Sequence, residues 1–154
     1  MRITSSPPHI LSGPGDDMDL RWFFALAGGL FFTYAGVLHF TNTSWFEPIV
    51  PPILGSATFW VLASGVVEIA VGICLILPRT RKIGGYASAA LLVALYPANL
   101  YMWVYDVELG DGASLSPTGH VIRMFAQIGG IMLSLWIAEW KPGVHPSLNE
   151  DIFT

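Results

Sequence analysis

Apolar residues fall into four long runs separated by short polar or proline-rich breaks. Leu20–Phe40 carries one charge, Arg21, at its edge, and Ala57–Leu77 carries Glu68 inside. Ile83–Val104 carries none, and Pro117–Trp140 carries Arg123 inside and Glu139 at its end. Each run is 21 to 24 residues long, and a bilayer core of about 30 Å takes roughly 20 apolar residues as a helix. A helix satisfies its own backbone in lipid, and no period-two alternation suggests a barrel. The pattern predicts an all-α membrane protein, a four-transmembrane-helix bundle over 20–140 (20–40, 57–77, 83–104, 117–140). Flexible tails are expected at 1–19 and 141–154. The connection Thr41–Ser56 holds Trp45, Phe46, Pro48 and Pro51-Pro52 and is expected to lie as an interfacial segment between the first two spans.

Composition supports this reading. The chain of 154 residues is 53% hydrophobic and 12% charged, against about 25% charged in a soluble domain. A net charge of -4 offers no basic field for nucleic acid. Cys74 is the single cysteine, so there is no disulfide and no CxxC pair, and it is expected to pack in the core.

The basic residues set the orientation. With four spans both termini share a side, which receives Arg2, Arg21, Arg79, Arg81, Lys82 and Lys141. The opposite connections carry no Lys or Arg but hold Glu47, Asp106, Glu108 and Asp111. The positive-inside rule makes both termini cytoplasmic, in a multi-pass protein of the cell membrane (the inner membrane in a bacterium). Trp22, Trp136 and Trp140 then mark the inner interface; Trp45, Trp60, Tyr101 and Trp103 mark the outer one.

Each span carries a stripe of small and polar residues in steps of three and four, which share one helical face. The stripes are Gly29, Phe32, Gly36, His39; Gly65, Glu68, Gly72; Gly85, Ala89, Leu92, Tyr96, Asn99, Trp103; and Arg123, Gln127, Gly130, Ser134. An ionisable group inside a span marks a candidate site, because facing lipid costs it at least about 2.5 kcal/mol. At about 1.5 Å per residue, Glu68 and Gln127 lie near the midplane, with Arg123, Asn99 and His39 further out. Glu68 and Arg123 are the only opposite charges available in that outer half of the interior, so they are expected to form an ion pair extended by Gln127, Asn99 and His39. Arg123 could instead snorkel to the headgroups, and the pair could be a structural latch. Asn99 after Pro97 also fits a cap on the gap that a proline leaves, and His39 a place in the wet interface. His120 is expected to be a solvated helix-start residue, and His9 and His145 lie in the tails. His39 and Glu68 alone supply too few ligands for a zinc or iron site, so no metal is expected.

The segments Ala35-Gly36-Val37-Leu38-His39-Phe40, Pro51-Pro52, Ser64-Gly65-Val66-Val67-Glu68, Leu77-Pro78-Arg79-Thr80-Arg81 and Pro97-Ala98-Asn99, in this order, resemble the DoxX-like membrane protein family, from about Leu20 to Trp140. Arg123 and Gln127 match a polar pair on that family's last helix. The resemblance implies a four-helix membrane bundle and an association with redox work, one branch being similar to a thiosulfate:quinone oxidoreductase subunit. The family is functionally mixed, so fold transfers better than activity.

Three functions compete. The first is a redox-associated component that binds a small lipophilic, quinone-like ligand in a polar chamber in the outer half of the bundle. His39, Glu68 and Arg123 would be its catalytic residues; Asn99, Gln127, Tyr34, Tyr96 and Trp103, beside Phe32, would bind the ligand. No motif for haem, flavin or nicotinamide is present, so an electron carrier would be that ligand or a partner redox subunit. The second is a cofactor-independent acid–base enzyme (isomerase, cyclase or hydratase) acting on a hydrophobic substrate. The third is a non-enzymatic scaffold or accessory subunit, with a homo-oligomer as one form. A transporter is disfavoured by the lack of an inverted repeat.

Overall fold

Helix start signals and the apolar runs meet at the same places. Ser56 caps the helix that follows it, its Oγ accepting from the Phe59 amide at 3.3 Å, and Ser116 does the same for the Gly119 amide at 3.2 Å with Pro117 next in line. A computed structural model describes residues 14–139, with side chains from Leu20 onward. It contains α1 (Pro14–Thr41), the short α2 (Thr43–Phe46), α3 (Ala57–Ile76), α4 (Arg81–Val104) and α5 (Pro117–Ala138), and no strand among the described residues. Single 3-10 turns at Glu47–Ile49 and Pro52–Leu54 complete the connection between α1 and α3. Four of these helices are long and apolar enough to cross a membrane: Leu20–Thr41, Ala57–Ile76, Arg81–Val104 and Pro117–Ala138. The chain is therefore an all-α membrane bundle.

The boundaries differ from the expected ones in two informative places. α1 begins at Pro14, so the Asp16-Asp17-Met18-Asp19 run falls within the helix and not in the expected tail. Residues 1–13 and 140–154, with Arg2, His9, Trp140, Lys141 and His145, lie outside the described residues. α4 begins at Arg81 rather than Ile83 because Arg81 is buried, with Nε donating to the Leu75 carbonyl at 3.2 Å and an Nη donating to that of Ile76 at 3.4 Å. Those are among the last carbonyls of α3, which have no partner within their own helix. Thr80 Oγ1 donates to the Cys74 carbonyl at 3.0 Å and helps to close the same turn.

The long helices follow one another around a square: α1 packs on α3, α3 on α4, α4 on α5, and α5 lightly on α1. The tightest side is α1–α3, and glycine makes it so. A β-carbon at Gly36 would stand 2.7 Å from the Gly65 carbonyl oxygen, and one at Gly29 would stand 2.8 Å from that of Gly72. Two glycine pairs thus let two backbones touch where lipid supplies no hydrophobic drive to press helices together. The α1–α5 side is closed at one end, where the Arg21 guanidinium donates to the Trp136 carbonyl at 3.0 Å and lies 4.6 Å from the centre of its ring. That end also holds the apolar core of Ala25, Phe32, Val71, Leu75, Leu91 and Ile137. The opposite end, under the 42–56 and 105–116 connections, holds the buried Glu68, His120 and Gln127.

Candidate functional site

Two polar clusters occupy that end, and they belong to different sides of the square. The first joins α4 to α5 through four hydrogen bonds in series. Gln127 Nε2 donates to the Leu92 carbonyl at 2.6 Å, and Asn99 Nδ2 donates to Gln127 Oε1 at 2.9 Å. Arg123 then donates through Nη2 to Asn99 Oδ1 at 2.5 Å and through Nη1 to the Met102 sulfur at 2.8 Å. Each amide gives with one end and takes with the other, so neither is left half satisfied. Pro97 lacks the N–H that would serve the Val93 carbonyl, and the side-chain bond to the neighbouring Leu92 carbonyl comes from Gln127. Asn99 is therefore not the cap on the proline gap; it spans the two helices.

The second cluster joins α1 to α3. Glu68 is 3% exposed, and its Oε2 lies 3.5 Å from His39 Nδ1. That distance suits an ion pair but not a hydrogen bond, and Nδ1 is already 2.7 Å from the Ala35 carbonyl. Among the described residues, Glu68 Oε2 is the buried side-chain oxygen or nitrogen with no hydrogen-bond partner. The Phe46 ring covers His39, stacked at 4.1 Å between centres and 13° from parallel. Thr43 Oγ1 donates to the His39 carbonyl at 2.7 Å and ties α2 to the end of α1.

The expected Glu68–Arg123 pair does not form. α3 and α5 stand on a diagonal of the square; Glu68 turns to α1 and Arg123 to α4. The shared chamber goes with it. Tyr96, Asn99, Trp103, Arg123 and Gln127 do line one cleft, but it encloses about 10 Å3, space for about one water. Tyr34 is 65% exposed on the outer face of α1, and Phe32 is in the apolar core, so neither lines a site. His120 is buried rather than solvated, its ring parallel to that of Trp103 at 5.9 Å.

Space of ligand size lies elsewhere. An open groove of about 460 Å3 runs between the α1–α3 connection and the start of α5, lined by Trp45, Phe46, Ile49, Leu109, Leu115, Gly119, Ile122 and Arg123. Small-molecule sites span about 300–1,000 Å3 and combine apolar walls with few polar groups; Arg123 is the charged one here. The two connections are fastened over it: the Gly110 amide donates to the Trp45 carbonyl at 3.1 Å, and a β-carbon at Gly110 would sit 2.5 Å from the Ser44 carbonyl oxygen. Thr58 Oγ1 donates to Glu47 Oε1, and Trp60 Nε1 to the Leu54 carbonyl, holding the 3-10 turns to α3. Met102 and the groove-lining Phe46 are not legible as site residues, because apolar and aromatic residues in a membrane chain carry no signal of their own; His120 is hidden by its place in the first turn of its helix, which reads as solvated. Among the described residues no group of three or more His, Cys, Asp or Glu could hold a metal ion.

The model of a protein family, Domain of unknown function (DUF8561), matches residues 27–138. The chain belongs to the DUF8561 family. The matched stretch takes in both polar clusters and every residue that lines the groove. No curated protein and no solved structure matches the chain. The family that matches is not the DoxX-like one, so that resemblance rests on its motifs alone.

Glu68 can be tested as an architectural element. Its Oε2 makes no hydrogen bond to lose, and the glycine pairs hold α1 to α3 without it. Glu68→Gln is expected to leave thermal stability within about 1 kcal/mol of the native chain, whereas a latch would cost roughly 3–5 kcal/mol when broken. Thermal unfolding in detergent reads the difference.

Proposed function

We propose that the protein is a redox-associated membrane component that binds a small lipophilic, quinone-like molecule in the groove. Its apolar body lies along Ile49, Leu115 and Ile122, and an acceptor oxygen sits on the Arg123 guanidinium. One observation carries the reading: a cation whose hydrogen-bond partners are all neutral stands on the wall of an otherwise apolar groove of ligand size. Arginine has five donor hydrogens in a fixed fork, and Asn99 and Met102 leave part of that fork for a ligand oxygen. The redox association comes from the DoxX-like motifs. With both termini cytoplasmic, as the distribution of Lys and Arg indicates, the groove opens at the outer leaflet of the cell membrane. A partner redox subunit or a second copy of the chain would carry the electrons onward.

The acid–base alternative, in which no redox cofactor takes part, draws on the buried His39–Glu68 pair. The same binding experiment serves both readings, since each needs an occupied groove. Decylubiquinone titrated into the purified protein is expected to bind saturably and to quench tryptophan emission, Trp45 being in the groove wall. Arg123→Gln is expected to weaken binding about tenfold or more, the loss of one charge-assisted hydrogen bond. No saturable binding, or equal binding by the variant, would reject the site and favour the scaffold role.

A further inference from the structure

The His39–Glu68 pair is the molecule's least explained feature. Other buried polar groups at that end have partners: Gln127 has two, and His120 lies flat on Trp103. At the other end Arg81 serves the carbonyls of α3. Glu68 alone, among the described residues, keeps a buried oxygen without a hydrogen bond. A membrane protein retains such a group against the cost of burying it, and the usual reason is that a charge or a proton must move there. Its titratable neighbour is His39, one face of which is covered by a single ring. That ring, Phe46, also lines the groove.

We propose that His39 and Glu68 form a proton-exchanging site that serves the oxygen of a phenol or hydroquinone head in the groove, with Phe46 as the movable partition between them. The occupant clause rests on the groove reading; the partition clause does not. In the closed state seen here the stacked ring stands between the pair and the groove, with the His39 side chain 12% and that of Glu68 4% exposed. Phe46 ends the four-residue α2, and its side chain has no hydrogen bond to break, so a rotamer change suffices to open the way. Once the way is open, the carboxyl proton of Glu68 passes by way of the His39 ring to an aryl oxide in the groove. A carboxyl and an aryl oxide become a carboxylate and a phenol, and water then returns the proton to Glu68. No electron moves in this step. Among the described residues the titratable group paired with Glu68 is His39 of α1, and Arg123 is turned to α4.

The test is infrared spectroscopy of the full chain in phosphatidylcholine vesicles. The native protein is expected to show the carbonyl band of a protonated carboxyl that disappears in Glu68→Gln. On transfer to D2O that band is expected to shift slowly in the native chain and about tenfold faster in Phe46→Ala, since the opening no longer requires a ring to turn. Phe46→Leu keeps an apolar side chain, so it folds where alanine does not, and is expected to fall between. Decylubiquinol added to Phe46→Ala is expected to slow the exchange again by covering the groove. Absence of a Glu68-dependent band overturns the proposal, as do equal exchange rates in the native, alanine and leucine chains. An exchange rate that decylubiquinol leaves unchanged overturns the occupant clause. The exchange without added quinol uses no ligand, so it can fail while decylubiquinone binding holds, and the reverse.

Discussion

Gly36→Leu is expected to abolish the folded protein, and Gly36→Ala to cost about 1–3 kcal/mol, the usual penalty of overpacking. The first β-carbon would already stand 2.7 Å from the Gly65 carbonyl oxygen and 2.7 Å from an Ile69 side-chain carbon. Backbone cannot yield as a flexible side-chain tip can, so α1 and α3 must separate. Separation removes the closest helix contact in the bundle and uncovers the His39–Glu68 pair, and van der Waals contact is what holds helices together in lipid. Gly129→Leu is the control, because nothing lies within 4 Å of a β-carbon there. The yield of monodisperse protein and its thermal unfolding compare the two. Equal behaviour of Gly36→Leu and Gly129→Leu would refute the glycine account of the α1–α3 seam.

Asn99→Leu is expected to cost about 2–3 kcal/mol, the range for a hydrogen bond to a charged group with its partner left buried. Asn99 accepts from Arg123 and donates to Gln127, so leucine strands a cation on one side and an amide oxygen on the other. Asn99→Leu combined with Arg123→Met is expected to recover most of the loss, because an apolar replacement of both partners leaves no orphaned charge. Asn99→Asp has a different outcome. It supplies Arg123 with a carboxylate and sets that carboxylate against Gln127 Oε1. The guanidinium is then occupied, and decylubiquinone binding is expected to fall although the fold persists. Glu68→Gln and Arg123→Met are expected to be additive to within about 0.5 kcal/mol, as sites without shared partners are. A strong coupling between those two would restore the direct ion pair.

The inward faces were legible in the sequence. Gly29, Gly36, Gly65, Glu68, Gly72, Gly85, Gln127 and Ser134 all lie buried, as their spacing required. The reason is that lipid punishes any polar group turned outward and rewards close backbone contact, so period and chemistry agree. Aromatic positions were less informative. As an aromatic residue Tyr34 reads as pocket lining beside Phe32, Tyr96 and Trp103, yet it lies off the stripe and faces out. Phe46 and Trp45 were seen as interfacial residues but not as the wall of a groove. That wall forms only when the 105–116 connection folds onto them.

The number of spans and their inward stripes were determined by sequence alone, because a helix in lipid must satisfy its own backbone and hide its polar side chains whatever its neighbours are. The pairing of helices was decided by the tertiary structure. Depth and sign put Glu68 and Arg123 in the same half of the bundle, but neither tells which helices are adjacent and which are diagonal. The glycine contacts between α1 and α3 and the amide series between α4 and α5 settle that, and they put acid and base in separate clusters. The space of ligand size likewise arises between a connection and a helix start, where no periodicity exists to be read.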